Sequence, residues 1–187
     1  MPLIALLESV QDIIHDILTG NHDRFRVIIH EFSDDLLRTA YHFLRDWNEA
    51  EEVTQLTFIA CFRSLKRYDP RRPFRSWLFR IHLNHCKTAA KRRLRRATRF
   101  LPLDESHGDC MLESPENAVG DEESILREIH SLSPKQQAAF ILLEIENVTT
   151  KEAADILACS ESTVRVHLAR AKKILRERLK HHGIEYD

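Results

Sequence analysis

Apolar side chains along the 187-residue chain recur mostly at three- and four-residue intervals, the period that lines one face of an α-helix. Leu3, Leu6, Leu7, Val10, Ile13, Ile14 and Ile17 predict an amphipathic helix that closes near Gly20. Phe25, Ile28, Ile29 and Phe32, then Leu36, Leu37, Ala40, Tyr41 and Leu44, carry the pattern on through one or two helices. Asn48 is placed to cap a further helix reaching about Leu65, and the two prolines of KRYDPRRP predict a loop. Phe74, Trp77, Leu78 and Ile81 then mark one face of a helix running to about Arg96. Residues 100–122 lose this periodicity and gain prolines, glycines and acids, which predicts a linker. Beyond it, Ser133-Pro134-Lys135-Gln136 and Thr149-Thr150-Lys151-Glu152 read as capping boxes, the first with proline at the opening helical position. A short helix is expected from about Thr150 to Ala158 and a tight break at Cys159-Ser160. A longer helix follows from Glu161 to about Leu179, with Gly183 beyond its end. The expectation is all-α: two small helical domains, 1–99 and 123–187, joined by an acidic flexible linker over 100–122.

Charge changes this picture more than composition does. The formal net charge is −1, but the charges are segregated. Residues 1–60 hold eleven acids against four bases, and 63–99 hold fourteen bases against Asp69 alone. Nine acids against Arg127 fill 100–130, and seven bases against Glu161 and Glu177 fill 161–180. Two separate cationic blocks predict two contacts with a polyanion. No stretch approaches about 20 apolar residues, so no membrane insertion of this chain is expected. The opening MPLIALLESVQDIIHD carries acids and no basic n-region, unlike a signal peptide. Four cysteines without CxxC spacing then suit reduced thiols in the cytoplasm.

The short helix, break and long helix over 150–179 form a helix-turn-helix candidate. Ala153, Ala154, Ile156 and Leu157 would pack on Val164, Leu168 and Ala171. Ser162, Thr163, Arg165, Val166, His167, Ala169, Arg170, Lys172 and Lys173 would then be shared among solvent, phosphates and base edges. The plainer alternative is a helical hairpin with a solvated basic face. The stretch RRPFRSWLFRIHLNHCKTAAKRRLRR combines rings with cations, the pairing that holds single-stranded nucleic acid. Phe74, Trp77 and Ile81 sit at core spacing, with Trp77 partly buried, whereas Phe79 and Tyr68 fall off that stripe and are expected as exposed rings. His82 and Cys86 lie one helical turn apart, but further ligands are not close in sequence, and the pairs Cys110/His107 and His181/His182 are weaker still, so no metal is expected. No nucleophile turn or orienting partner stands at a recognisable spacing, so neither an enzyme nor a cofactor is implied.

Together these stretches carry a family resemblance. YHFLRDWNEAEEVTQLTFIACFRSLKRYDPRRPFRSWLFRIHLNH resembles region 2 of the extracytoplasmic-function (ECF) sigma factors of the sigma-70 family of bacterial RNA polymerase sigma factors. LSPKQQAAFILLEIENVTTKEAADILACSESTVRVHLARAKKILRERL resembles their region 4, and GNHDRF resembles the Gly-Asp-x-x-Ala-Phe step into the family's second helix. The resemblance runs from about residue 10 to 180 in the family's order.

The resemblance implies a sigma factor that binds core RNA polymerase, directs promoter-specific initiation, and reads the −35 element as duplex and the −10 element as melted strand. It implies that Glu51, Glu52 and Gln55 dock on the clamp helices of the polymerase's largest subunit, with a region 4 contact at the flap. Leu56 stands where the family often carries an acid. Lys66, Arg67, Tyr68, Arg71, Arg75, Phe79, Arg80, Asn84, Lys87 and Lys91 are implied to hold the −10 element. Among them Tyr68 would stack on a flipped base and Asn84 would hydrogen-bond near it. Ser162, Thr163, Arg165, Val166, Ala169, Arg170 and Lys173 are implied to read the −35 element. An anti-sigma factor is a further implied partner. Asn147 replaces a common glycine and Ala158 the usual turn glycine; the latter suggests either a turn without positive φ or local strain. The rival reading is a stand-alone helix-turn-helix regulator that binds operator DNA without polymerase.

Overall fold

The computed structural model describes residues 9–99 and 121–181. The expectations for Leu3, Leu6 and Leu7, for the 100–120 part of the linker with His107 and Cys110, and for His182 and Gly183 lie outside them. Every regular element among the described residues is helical.

Ser9 opens α1 (Val10–Leu18) with a reciprocal capping box to Asp12, and Ile13, Ile14 and Ile17 face inward. Gly20 takes φ +114°, which turns the chain into a short 3₁₀ turn (His22–Arg24). The next stretch is one helix rather than two, α2 (Phe25–Leu44). The following helix, α3 (Trp47–Ser64), is capped by Asp46, not Asn48. The Asp46 carboxylate accepts the Glu49 N–H at 2.9 Å, and Asn48 already lies inside the helix.

A 3₁₀ turn (Leu65–Arg67) leads to a β-turn at Asp69-Pro70-Arg71-Arg72. Pro70 presets the turn, the Arg72 N–H reaches the Asp69 carbonyl at 3.0 Å, and Asp69 also accepts from the Arg71 backbone and guanidinium. The long helix α4 (Phe74–Arg99) then packs on α2 and α3. It buries Leu78, Phe79, His82, Leu83 and Cys86, an arc wider than a single stripe. His82 lies wholly inside, with Nδ1 3.0 Å from the Thr57 hydroxyl and Nε2 3.7 Å from the Cys86 sulfur. His82 and Cys86 thus serve this core, and among the described residues no three metal-ligating side chains gather.

Burial pushes the His82 imidazole down to about 3, against the opposing hydrogen bond with the Leu36 backbone. An unfolded chain takes up this proton below about 6.5, while the folded chain resists it until about 3. The stability His82 confers is therefore complete above about pH 6.5 and drains away as pH falls through that window. Urea midpoints should fall with pH there, and His82→Asn should flatten the slope.

The second group of helices is α5 (Asp121–His130), α6 (Pro134–Phe140), a π-helical turn (Ile141–Ile145), α7 (Thr150–Leu157) and α8 (Glu161–His181). Both expected capping boxes are present: Ser133 with Gln136, and Thr149 with Glu152. The π-turn has no sequence signal we can name. Ala153, Ala154 and Ile156 of α7 are buried against Val164 and Ala171 of α8, with Leu157 and Leu168 partly buried. Asn147 adopts φ +51° and Ala158 φ +54°. Of the two expectations for Ala158, strain is the outcome, since a Cβ in the left-handed region costs about 1–2 kcal/mol. Ala158→Gly should raise stability by about 1 kcal/mol after glycine's greater unfolded-state freedom is offset. Chemical denaturation would check this.

The two groups touch. α7 packs on α4, and α5 and the π-turn pack on α2. The C-terminal carbonyls of α2, which lack helical partners, are taken up by side chains from elsewhere. Arg93 of α4 donates to the Leu44 carbonyl at 3.0 Å, and buried Gln137 of α6 donates to the Phe43 carbonyl at 3.0 Å. No described helix is long and apolar enough to cross a membrane.

Candidate nucleic-acid and polymerase interfaces

The loop after α3 holds its cations outward. Lys66, Arg67 and Arg71 are exposed, and Arg71 leans on Asp69 at 2.9 Å. Two rings depart from expectation. Tyr68 retains 8% exposure, its ring lies edge-on to Phe74 at 5.3 Å, and its hydroxyl donates to the Arg72 carbonyl at 2.5 Å. Burial and then the Asp69 charge push the phenol's pKa up. Phe79 has no exposed surface. Both rings were expected outside because they miss the narrow 74/77/81 stripe. But α4 is covered on two sides by α2 and α3, which takes Phe79 in, and Tyr68, in the loop before α4, folds back against Phe74 and Trp77. Trp77, as expected, is partly buried, tilted against Tyr68 at 5.2 Å.

Arg75 lies 4.5 Å over the Phe79 ring and pairs with Asp35 of α2 at 2.6 Å. Burial raises the Asp35 carboxyl, but hydrogen bonds and charge from Arg75 and Arg38 outweigh it and hold the pKa low. Further along α4, Arg80 donates to the Asp155 carbonyl of α7. Asn84 and Lys91 are exposed, whereas Lys87 is half-buried. Burial and then the neighbouring Lys135 and Lys91 lower the Lys87 pKa. The last turns of α4 extend this face: Thr88, Lys91, Arg92, Arg95 and Arg96 line a cleft of about 330 Å³. Arg92, Arg95 and Arg96 were not among the expected contacts, though the cationic run that carries them was plain.

The outer side of α3 exposes Glu51, Glu52 and Gln55, with Leu56 and Ile59 between and beyond them at 40% and 47% exposure. Glu52 is bridged to Arg92 at 3.2 Å. Sequence reasoning named the polar members and missed Ile59, whose exposure depends on which helices cover α3.

On α8, Ser160 supplies the cap: its hydroxyl accepts the Thr163 N–H at 3.2 Å and lies 2.8 Å from the hydroxyls of Ser162 and Thr163. The same helix face exposes Ser162, Arg165, Val166, Ala169, Arg170 and Lys173, with Thr163 half-buried. Val166 is 47% exposed, a branched apolar group held in water. Arg165 pairs with Glu161 at 2.8 Å, an exposed contact that a better anion can replace. A helix with this cap and this row of side chains can enter a major groove.

Two family models match the chain: Sigma-70 region 2 over residues 28–100 and Sigma-70, region 4 over residues 122–175. ECF RNA polymerase sigma factor SigE of Mycolicibacterium smegmatis is 31% identical over 161 residues, which are 84% of this chain and 62% of that protein. This chain therefore spans less than two thirds of that relative. RNA polymerase sigma factor CnrH of Cupriavidus metallidurans is 30% identical over 165 residues, 82% of this chain and 85% of the relative. The solved CnrH chain, in complex with the cytosolic domain of CnrY, covers 91% of this chain at TM-score 0.68 and 26% identity, with 96% of its own length matched. The sigma factor RpoE of Bartonella quintana, solved with the anti-sigma factor NepR, has the same fold at TM-score 0.63 and 21% identity, covering 83% of this chain and 96% of its own. The chain belongs to the extracytoplasmic-function class of the sigma-70 family of RNA polymerase sigma factors.

Proposed function

We propose that this sigma factor docks on core polymerase through α3, holds the melted −10 strand with the α3–α4 loop and α4, and reads the −35 element as duplex with α8. Residues 1–99 form the first unit, 100–122 the link, and 123–187 the second. The observation that carries the proposal is the separation of two cationic surfaces with different chemistry. One is a loop and helix with outward cations and Asn84; the other is a capped helix presenting Arg165, Val166, Ala169 and Arg170 in one row. Arginine bidentate to guanine and apolar contact with thymine methyls are what such a row supplies.

In this proposal Lys66, Arg67, Arg71 and Lys91 track phosphates and Asn84 meets an unstacked base. Tyr68 shapes the loop from beneath through its bond to the Arg72 carbonyl. Phe79 is left to the core. Glu51, Glu52 and Gln55, with Leu56 and Ile59, form the polymerase-docking face on the clamp helices, and the second unit meets the flap. The protein works in the cytoplasm without a catalytic group or cofactor of its own. CnrH and RpoE were each solved with a bound partner, which supports an anti-sigma factor for this chain too.

Run-off transcription with core polymerase tests the proposal. Promoter-specific transcripts that require this chain are expected. Tight operator binding without polymerase, and no specific transcript with it, would instead support a stand-alone regulator.

A further inference from the structure

Trp47 stands in the opening turn of α3 with 54% of its surface exposed, against 39% for Phe62 further along the same helix. The ring is nevertheless held in place. Tyr41 of α2 stacks on it at 4.5 Å with 20° between the planes, across the tight corner that Arg45 makes at φ +57°. Tyr41 is itself half-buried and packed on the core, so it gives the indole a fixed backing. With Tyr41 on one face, the exposed area of Trp47 belongs to the other face and the edges. Glu51 is exposed one turn further along, and its four-residue spacing puts it beside Trp47. Glu52 is bridged to Arg92, whereas Glu51 pairs with no cation among the described residues. A single exposed apolar side chain is ordinary. A ring oriented by a stack, next to an unpaired carboxylate, is a contact organised before its partner arrives.

We propose that Trp47, backed by Tyr41, and Glu51 form a cradle for an arginine of the polymerase's largest subunit, and that this cradle anchors the α3 docking face. This rests on the assignment of that face to core polymerase. A guanidinium suits both halves of the cradle. Its plane lies over the indole, the best of the aromatic faces for a cation, while its N–H groups donate to the carboxylate. Both attractions strengthen as docking removes water from around them. Tryptophan and arginine are also residues on which interface energy concentrates. The choice of occupant follows from continuity and charge. Trp47 and Glu51 begin the exposed side of α3 that Glu52, Gln55, Leu56 and Ile59 extend, and its acids call for a basic partner.

The test titrates the fluorescein-labelled full chain with core polymerase and reads anisotropy, with urea midpoints reporting the fold. Trp47→Ala should weaken binding roughly thirtyfold at unchanged helix content. Glu51→Gln should weaken it about fivefold and flatten its salt dependence. Tyr41→Leu, which takes away the stacked ring, should also weaken it. The chemical signature comes from fluorinated tryptophan. In a Trp77→Phe background Trp47 is the sole tryptophan, and adding one, two and three ring fluorines keeps its shape while draining the negative face. Affinity should fall step by step along that series, which also serves if Trp47→Ala misfolds. A flat series would overturn the arginine cradle. Glu52→Lys with Gln55→Ala tests the docking face itself. Weaker binding from that pair but not from Trp47→Ala would overturn the anchor and leave the docking face standing; no loss from either would overturn both. Self-association that Trp47→Ala abolishes at unchanged core affinity would assign the ring to a second copy of this chain and overturn the proposal.

Discussion

With Arg165 and Arg170 both changed to alanine, holoenzyme should lose nearly all preference for a promoter carrying its −35 element. Each arginine bidentate to guanine is worth about 1–3 kcal/mol of discrimination, or roughly 5- to 150-fold per contact. Both side chains stand exposed on one face of α8, one turn and a residue apart, flanked by Val166 and Ala169. Arg165 gives up its bond to Glu161, an exposed pair worth about 0–1 kcal/mol, so little of the gain is spent. Neither residue supports the core, which α8 builds from Val164, Ala171, Leu175 and Leu179. Thermal stability should therefore hold while competition against a scrambled −35 duplex loses its contrast. A double variant that still prefers the cognate duplex would take duplex reading away from this face.

The second large effect is expected at Tyr68. Truncating this buried ring to alanine removes its contacts with Phe74 and Trp77 and should cost about 3–5 kcal/mol. That is a large share of the roughly 5–15 kcal/mol that holds a domain folded. Promoter opening should fail along with it. Tyr68→Phe separates the two roles: the ring stays, and the bond to the Arg72 carbonyl goes, at a cost of about 1 kcal/mol. We expect the folded Tyr68→Phe holoenzyme to open promoters roughly fivefold less well, because the loop loses its anchor. Full thymine reactivity to permanganate with Tyr68→Phe would show that the hydroxyl has no part in opening.

The helices were legible because their determinants are local. Apolar residues at three- and four-residue spacing, the Ser133/Gln136 and Thr149/Glu152 boxes and the prolines of the loop all act within one or two turns. The cap of α3 was misplaced by two residues since Asp46 and Asn48 are both competent, and only backbone geometry selects Asp46. Phe79 and Tyr68 were misplaced for other reasons. For Phe79, a helix covered by two neighbours buries a broad arc, and in α4 that arc is interrupted by Arg75, Arg80 and Lys87, so the periodic stripe looks narrower than it is. Tyr68 lies in the loop before α4, and its burial comes from the loop folding back on Phe74 and Trp77, which helical periodicity does not register. Ala158 could be flagged as a departure, but whether it would accept a positive φ depended on the fit of α7 against α8. The ties between the two units were out of reach altogether. Arg38 and Glu146 are 108 positions apart, and Gln137 and the Phe43 carbonyl it reaches are 94 apart, with no local pattern at either end that marks its partner.

The most direct test of two surfaces with two kinds of DNA is a footprint of one holoenzyme–promoter complex, read for duplex protection at −35 and permanganate-reactive thymines at −10. Asn84→Ala combined with Lys91→Ala should abolish thymine reactivity and leave −35 protection in place, while Arg165→Ala with Arg170→Ala should remove −35 protection first. Identical loss of both signals from either pair would contradict the division between a strand-holding face and a duplex-reading face.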